Sequence, residues 1–113
     1  MVTIYHNPRC MKSRETLSLL EAKGEKITIV EYLKEPPTKE ELKKIIKMLG
    51  INAADLIRKG EPDFKDHFKG KEMTDEEWIE AMLQFPKLME RPIVINGEKA
   101  AIGRPPQQVL TIL

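Results

Sequence analysis

The first 32 residues run strand, helix, strand, and this order limits the folds that are open to the chain. Val2 to Tyr5 is an alternating, β-branched run typical of a strand, and Ile27 to Tyr32 is a second such run. Between them we predict a helix from about Met11 to Lys23, stopped by Gly24, with these residues on one face: Ser13, Thr16, Leu17 and Leu20. Two strands joined through a helix pair in parallel with a right-handed crossover, so both should lie in one sheet.

The middle of the chain predicts two helices that begin at capping boxes. In each box a threonine hydroxyl and a glutamate three residues later satisfy free backbone N–H groups, as in Thr38 with Glu41 and Thr74 with Glu77. The first helix should end at Gly50 and the second near Pro86. The less regular stretch between them, 51–71, is predicted to hold short helices and loops.

The end of the chain predicts a β-hairpin followed by a short helix. Pro92 to Ile95 and Glu98 to Ile102 are the two strands, and Asn96-Gly97 is typical of a type I′ turn, whose two central residues both need positive φ. Pro105-Pro106 should start a helix with three inward residues: Val109, Ile112 and Leu113.

This element order predicts an α/β fold with a four-stranded mixed sheet flanked by helices. The length of 113 residues fits a single domain over 1–113, with a helical insertion at about 38–90 between the strand–helix–strand unit and the hairpin.

Charge and cysteine content argue against a nucleic-acid-binding protein, a membrane-surface protein and a disulfide-stabilised secreted protein. The chain has 19 Lys plus Arg against 18 Asp plus Glu, a net charge of +1, so we expect neither nucleic acid nor a membrane surface as a partner. A single cysteine cannot form an intramolecular disulfide, and no signal peptide or membrane-length apolar run is visible. We therefore expect a cytoplasmic protein.

The junction between the first strand and the first helix is the candidate site. Backbone N–H groups at a helix N-terminus have no internal partners, and the helix dipole favours an anion there. A cysteine at such a position with cationic neighbours has a lower pKa than a free thiol. Cys10 holds this position, with Arg9, Lys12 and Arg14 beside it and His6 at the strand end, so we predict a thiolate at neutral pH. The alternative is a buried cysteine that only fills space.

The motif His6-Asn7-Pro8-x-Cys10-x-x-Ser13-Arg14-x-Thr16-Leu17 resembles the arsenate reductase (ArsC) family, of the glutaredoxin-coupled type with a thioredoxin-like fold. Three later segments are similar to the arginine segments of that family: 56–59, 91–94 and 103–105. The residues around Cys10 and the Gly103-Arg104-Pro105-Pro106 segment are most similar to the short YfgD branch of the family.

The resemblance implies roles for individual residues. Cys10 would be the nucleophile and His6 would help to make it a thiolate. The oxyanion would be held by five residues: Arg58, Arg91, Arg104, Ser13 and Arg14. Asn7 and Pro92 would shape the site, with Pro92 matching the cis-proline that faces the cysteine. Guanidinium groups suit tetrahedral anions because they offer forked donors that are always charged. Without the resemblance, each arginine taken alone is better explained as a surface ion-pair partner.

The cysteine count also constrains the reaction. Reduction of arsenate to arsenite takes two electrons, hence two thiols, and this chain supplies one. The other must come from outside, which points to glutathione as co-substrate and glutaredoxin as partner, with arsenate or a similar oxyanion as substrate. We expect no bound cofactor and no metal, because His6, His67 and Cys10 lack a metal-ligand spacing and His67 should be solvated surface.

Three other functions remain open at this point. A redox transcriptional regulator like the Spx proteins would carry Cys-x-x-Cys, whereas this chain has Ser13 at the second position. A general monothiol oxidoreductase acting on glutathionylated substrates needs the thiolate but not the three arginines. A plain oxyanion-binding module would keep its affinity for anions after Cys10→Ser.

Overall fold

A four-stranded mixed sheet is the centre of the first of two units, which comprises residues 1–35 and 91–113. The computed structural model describes all 113 residues. The strands are β1 (Val2–His6), β2 (Ile27–Glu31), β3 (Ile93–Asn96) and β4 (Lys99–Ile102). Their order is β2-β1-β3-β4; β1 pairs with β2 in parallel and with β3 antiparallel, and β3 pairs antiparallel with β4. The predicted α/β fold with a mixed sheet is confirmed, and the architecture is thioredoxin-like.

Two helical elements pack against this sheet and bury an apolar core with it. Helix α1 (Met11–Ala22) follows β1, and a 3₁₀ helix (Pro106–Ile112) follows β4. The core between sheet and helices is built from six buried apolar residues: Val2, Ile4, Leu20, Val94, Val109 and Ile112. Leu113 was expected to face inward, and that prediction was wrong. It lies beyond the last turn of the 3₁₀ helix and is 40% exposed.

The hairpin turn is displaced by one residue from the predicted position. Asn96 pairs with Lys99, so the central turn residues are Gly97 and Glu98, and of these only Gly97 has a positive φ, 64°. The expectation of a type I′ turn centred on Asn96-Gly97 was wrong. The cause is a distant contact, since the Asn96 side chain donates a hydrogen bond of 2.7 Å to the carbonyl of Ile112 and remains part of the strand.

The second unit, residues 36–90, is helical. It contains α2 (Lys39–Leu49), α3 (Pro62–His67) and α4 (Asp75–Gln84), with 3₁₀ turns at Ala53–Leu56 and Pro86–Leu88. Both predicted capping boxes are present, and α2 ends at Gly50 with a φ of 68°. The irregular stretch 51–71 holds short helical elements and loops, as predicted. None of the helices combines the length and the hydrophobicity that crossing a membrane requires.

Aromatic rings of α3, α4 and the segments after them form a cluster within the second unit. The cluster consists of Phe64, His67, Phe68, Trp78 and Phe85. His67 is exposed, as predicted for a solvated histidine, but its ring also stacks on Phe85 with 5.0 Å between the ring centroids. This histidine therefore contributes apolar contact at the surface of its unit.

Candidate active site

Cys10 lies in the turn that joins β1 to α1, at the N-cap position of the helix. Its backbone is extended, with φ −94° and ψ 123°, and its N–H donates to the carbonyl of Asn7 at 3.0 Å. The Asn7 side chain accepts from the N–H of Arg9 at 3.0 Å, which is the local bond that makes asparagine a good turn former. Asn7 therefore shapes the turn that presents Cys10.

The N-terminus of α1 is available to an anion. No side chain caps it and its first turn holds no acidic residue. The helix dipole and the free N–H groups of this turn then remain uncompensated by the protein itself. The sequence predicted a helix N-terminus at Cys10, and the structure has one there.

Arg104 is in contact with the cysteine. Its Nη2 lies 3.6 Å from Cys10 Sγ, and its Nε donates to the carbonyl of Arg91 at 2.9 Å. The second bond fixes the direction of the guanidinium, so the positive charge is held against the sulfur. Cys10 itself is only 8% exposed. A buried sulfur beside a guanidinium is a different environment from the apolar core that a space-filling cysteine would occupy.

Arg91 carries donors that the folded chain leaves unsatisfied. Its Nε and Nη1 are buried and have no hydrogen-bond partner. Buried polar groups are nearly always paired, because an unpaired donor costs about 1–3 kcal/mol. The orphaned donors of Arg91 are those that an incoming oxyanion would satisfy, and a guanidinium fits such oxygens in a forked arrangement.

His6 and Ser13 form a buried pair behind the cysteine turn. His6 Nδ1 and Ser13 Oγ are hydrogen-bonded at 2.6 Å, and Ser13 Oγ also accepts from the N–H of Asn7 at 3.0 Å. Burial lowers the pKa of His6 from its usual 6.5; the Glu31 carboxylate opposes this effect and the Arg14 guanidinium adds to it. The lower pKa favours the uncharged imidazole at neutral pH, and Ser13 connects His6 by hydrogen bonds to Asn7 in the cysteine turn.

Ser13 and Arg14, which we expected on the oxyanion, both hold the turn. The Ser13 side chain is completely buried in its bond to His6. Arg14 is exposed, and its Nη1 donates to the carbonyl of Pro8 at 3.1 Å. Both residues thus tie the turn to α1, and their direct contact with an anion stays a prediction.

Gly103 and Thr16 support the site, and sequence reasoning missed their part in it. The N–H of Gly103 donates to the carbonyl of Pro92 at 2.9 Å. A Cβ atom on Gly103 would lie 2.5 Å from Thr16 Oγ1 and 2.8 Å from Pro92 Cγ. Only glycine fits between these two side chains. The close packing of Gly103 fixes the position of the chain just before Arg104. The Gly-Arg-Pro segment marked Arg104 as a candidate site residue. It does not indicate that Gly103 contacts α1.

Arg91 and Arg104 each precede a proline in a cis peptide bond, Arg91-Pro92 and Arg104-Pro105. The resemblance implied a cis bond at Pro92, and the structure has one there. The cis bond at Pro105 was not expected.

Arg58 belongs to the second unit and is already paired there. Its Nη1 lies 2.9 Å from Glu61 Oε2 and 3.4 Å from the carbonyl of Lys87, and its side chain is 26% exposed. Its assignment to the oxyanion stays a prediction of the sequence.

Within the first unit, the structure brings Cys10, Arg91 and Arg104 into one connected arrangement. The Cys10 sulfur is in contact with the Arg104 guanidinium, Arg104 is bonded to the carbonyl of Arg91, and the Arg91 side chain has buried donors without a partner. Together they suit nucleophilic attack on a tetrahedral anion, with the charge of the attacked group neutralised by guanidinium.

Comparison with known proteins agrees with this chemistry. The sequence pattern of the ArsC family matches residues 5–112. The chain is 48% identical to the uncharacterized protein YfgD of Escherichia coli K12, over 99% of this chain and 96% of that protein. It is 46% identical to the arsenate reductase of Haemophilus influenzae, over 99% of this chain and 98% of that protein. The solved structure of an arsenate reductase from Vibrio cholerae superposes with a TM-score of 0.95 at 46% identity, covering 99% of this chain and 97% of the other. On these matches, which extend over nearly its whole length, the chain belongs to the ArsC family.

Proposed function

We propose that this protein reduces arsenate to arsenite, with Cys10 as the nucleophile and with glutathione and then glutaredoxin as the source of electrons. The observation that carries the proposal is the contact of 3.6 Å between Arg104 Nη2 and Cys10 Sγ, which holds a permanent positive charge against the sulfur. The name of the Haemophilus influenzae relative, arsenate reductase, supports the choice of substrate.

The first step joins sulfur to arsenic. The Cys10 thiolate attacks the arsenic atom of arsenate, an S–As bond forms, and one As–O bond breaks so that the oxygen leaves as hydroxide or water. Arsenic is still As(V) after this step. The buried donors of Arg91 would bind the remaining oxygens and offset their charge.

The second step transfers the electrons. A glutathione thiolate attacks the Cys10 sulfur of the adduct, an S–S bond forms and the S–As bond breaks. The electron pair of that bond stays with arsenic, which leaves as As(III) in arsenite. Two thiols have become one disulfide, which balances the two electrons gained by arsenic. Glutaredoxin then removes glutathione from the mixed disulfide and returns Cys10 to its thiolate form.

An external reductant follows from the single cysteine, since the chain has no second thiol to resolve the adduct. Neither a metal nor a bound cofactor enters these steps, and glutathione acts as a co-substrate. A free, reactive thiol persists in a reducing compartment, so the proposed location is the cytoplasm.

The test is an assay of arsenite formation with purified protein, arsenate, glutathione and glutaredoxin. We expect the wild type to form arsenite only when both thiol components are present, and Cys10→Ser to form none. Ser18→Ala, an exposed change on the same helix, is the matched control and should turn over like the wild type. Normal turnover by Cys10→Ser would remove the cysteine from the mechanism. Removal of glutathione from glutathionylated proteins without any arsenite formation would instead identify a general monothiol oxidoreductase.

A further inference from the structure

A second concave site lies beside the cysteine turn, at the carboxyl ends of the parallel strands β1 and β2. It is a cavity of about 320 Å³ lined by residues 6–9 on one side and by Glu31, Leu33 and Lys34 on the other. His6 and Glu31 are register partners at the ends of the two strands. The carboxyl ends of parallel strands are a common place for ligands, and this volume is at the small end of the range for ligand sites.

This cavity is distinct from the proposed oxyanion position but adjoins the turn that carries Cys10. Neither Cys10 nor Arg91 nor Arg104 lines it. One of its walls, residues 6–9, leads directly into Cys10, so a ligand in the cavity would lie next to the turn that carries the sulfur. A co-substrate whose thiol must meet Cys10 could be held from here.

The charges of the lining fit a small ion with more than one charged group. Arg9 and Lys34 are cationic and Glu31 is anionic. The Arg9 side chain is exposed and makes no hydrogen bond or ion pair, and Lys34 makes only a loose contact, with Nζ 3.7 Å from Glu31 Oε1. Exposed pairs of this kind contribute little to stability, so these groups are available to a ligand. Leu33, which is 38% exposed, adds apolar surface to the cavity.

We propose that this cavity binds glutathione, an inference that rests on the proposed function and assigns the co-substrate its own subsite. Glutathione carries two carboxylates and one ammonium, which matches two cations and one carboxylate in the lining. The carboxylates bind Arg9 and Lys34, and the ammonium binds Glu31. The thiol then extends along residues 6–9 toward Cys10.

Binding is tested without any reaction, by titrating isotope-labelled protein with S-methylglutathione, which has no free thiol. We expect amide shifts in the NMR spectrum concentrated at residues 6, 7, 9, 33 and 34. Lys34→Glu should weaken binding by about fivefold, the loss expected for one ion pair near a surface. Lys26→Glu is the matched control: Lys26 is exposed and lies before β2, at the opposite end of the strand that Lys34 follows. Shifts confined to other residues, or equal weakening by both variants, would overturn the proposal.

Kinetics separate this inference from the proposed function. Lys34→Glu should lower kcat/KM for glutathione by about fivefold relative to kcat/KM for 2-mercaptoethanol, a thiol with no charged groups. If the wild type forms no arsenite with any thiol, the proposed function is refuted. The NMR titration with S-methylglutathione then still shows whether the cavity binds glutathione. If Lys34→Glu raises only the glutaredoxin requirement and leaves the KM for glutathione unchanged, the cavity is a protein contact and the glutathione subsite is refuted.

Discussion

Gly103 packs against Thr16 of α1 so closely that a methyl group on this glycine would lie 2.5 Å from the threonine hydroxyl oxygen. The same methyl group would lie 2.8 Å from Pro92 Cγ. The contact joins the segment after β4 to the helix that begins at Cys10. The distance between Arg104 and Cys10 therefore depends on the absence of a side chain at position 103.

Gly103→Ala should thus both destabilise the protein and reduce the reactivity of Cys10. Overpacking in a buried contact costs about 1–3 kcal/mol, and the displacement would move Arg104 away from the sulfur. Urea unfolding gives the first quantity, and the rate of alkylation by iodoacetamide at neutral pH gives the second.

Two further variants test the cause of this effect. Gly60→Ala is the control, since nothing lies within 4 Å of a Cβ atom there, and its cost should be small. Adding Thr16→Ala to Gly103→Ala should recover part of the lost stability, the coupling expected of residues in contact. Strictly additive effects of the two substitutions would show that the contact does not limit packing.

Local chemistry explains what could be predicted of the fold. The capping boxes at Thr38 and Thr74 involve residues three positions apart, and both helices begin where those residues require. The hairpin turn depended on a partner far along the chain: the bond from Asn96 to the Ile112 carbonyl keeps Asn96 in the strand. Sequence patterns contain the first kind of information and not the second.

The same distinction applies to the candidate site. The position of Cys10 at a helix N-terminus follows from the local pattern and could be predicted. The burial of Ser13 against His6, and the fit of Gly103 against Thr16, depend on how β1, α1 and the segment after β4 pack together. Side-chain roles that depend on such packing, including that of Arg14 on the Pro8 carbonyl, could not be derived from spacing.

Arg104→Ala should make Cys10 less reactive at neutral pH. The guanidinium is the charged partner of the sulfur at 3.6 Å, and a hydrogen bond to a charged group contributes about 1.5–3 kcal/mol. Losing it should slow alkylation by iodoacetamide about tenfold or more, since 1.4 kcal/mol corresponds to a factor of ten. Arg9→Ala, an exposed arginine without a hydrogen bond from its side chain, is the comparison and should have a smaller effect. Equal rates for wild type and Arg104→Ala would refute the role of this contact.

Arg91→Ala should weaken the use of arsenate without unfolding the protein. The substitution removes two buried donors that have no partner, so the free energy of unfolding should not fall by more than about 1 kcal/mol. The KM for arsenate should rise at least about tenfold, because the anion loses a charged, forked donor. Arsenite formation and urea unfolding measure the two quantities. Large destabilisation would show that Arg91 is structural.

Sulfate or arsenate should protect Cys10 from alkylation in the wild type. Both are tetrahedral anions, and an anion bound by Arg91 beside Arg104 would obstruct the approach to the sulfur and repel an anionic reagent such as iodoacetate. We expect protection to be lost in Arg91→Ala and kept in Arg9→Ala. Protection that survives the loss of Arg91 would place the anion elsewhere.

The buried His6 should make the stability of the protein fall in mild acid. Burial lowers the pKa of His6 below the 6.5 of a free histidine, so between these two pKa values the unfolded chain binds a proton that the folded chain does not. The contribution of neutral His6 to the free energy of unfolding is therefore fully present above pH 6.5. It is lost as the pH falls through 6.5 toward the lower pKa of the folded state. His6→Gln, which cannot titrate in this range, should show a shallower loss of unfolding free energy between about pH 7.5 and pH 5 than the wild type. The difference between the two curves cancels the contributions of the other titratable groups, so the variant's lower starting stability does not affect the test. Parallel curves would mean that His6 has the same proton affinity in the folded and unfolded chain, and they would refute this prediction.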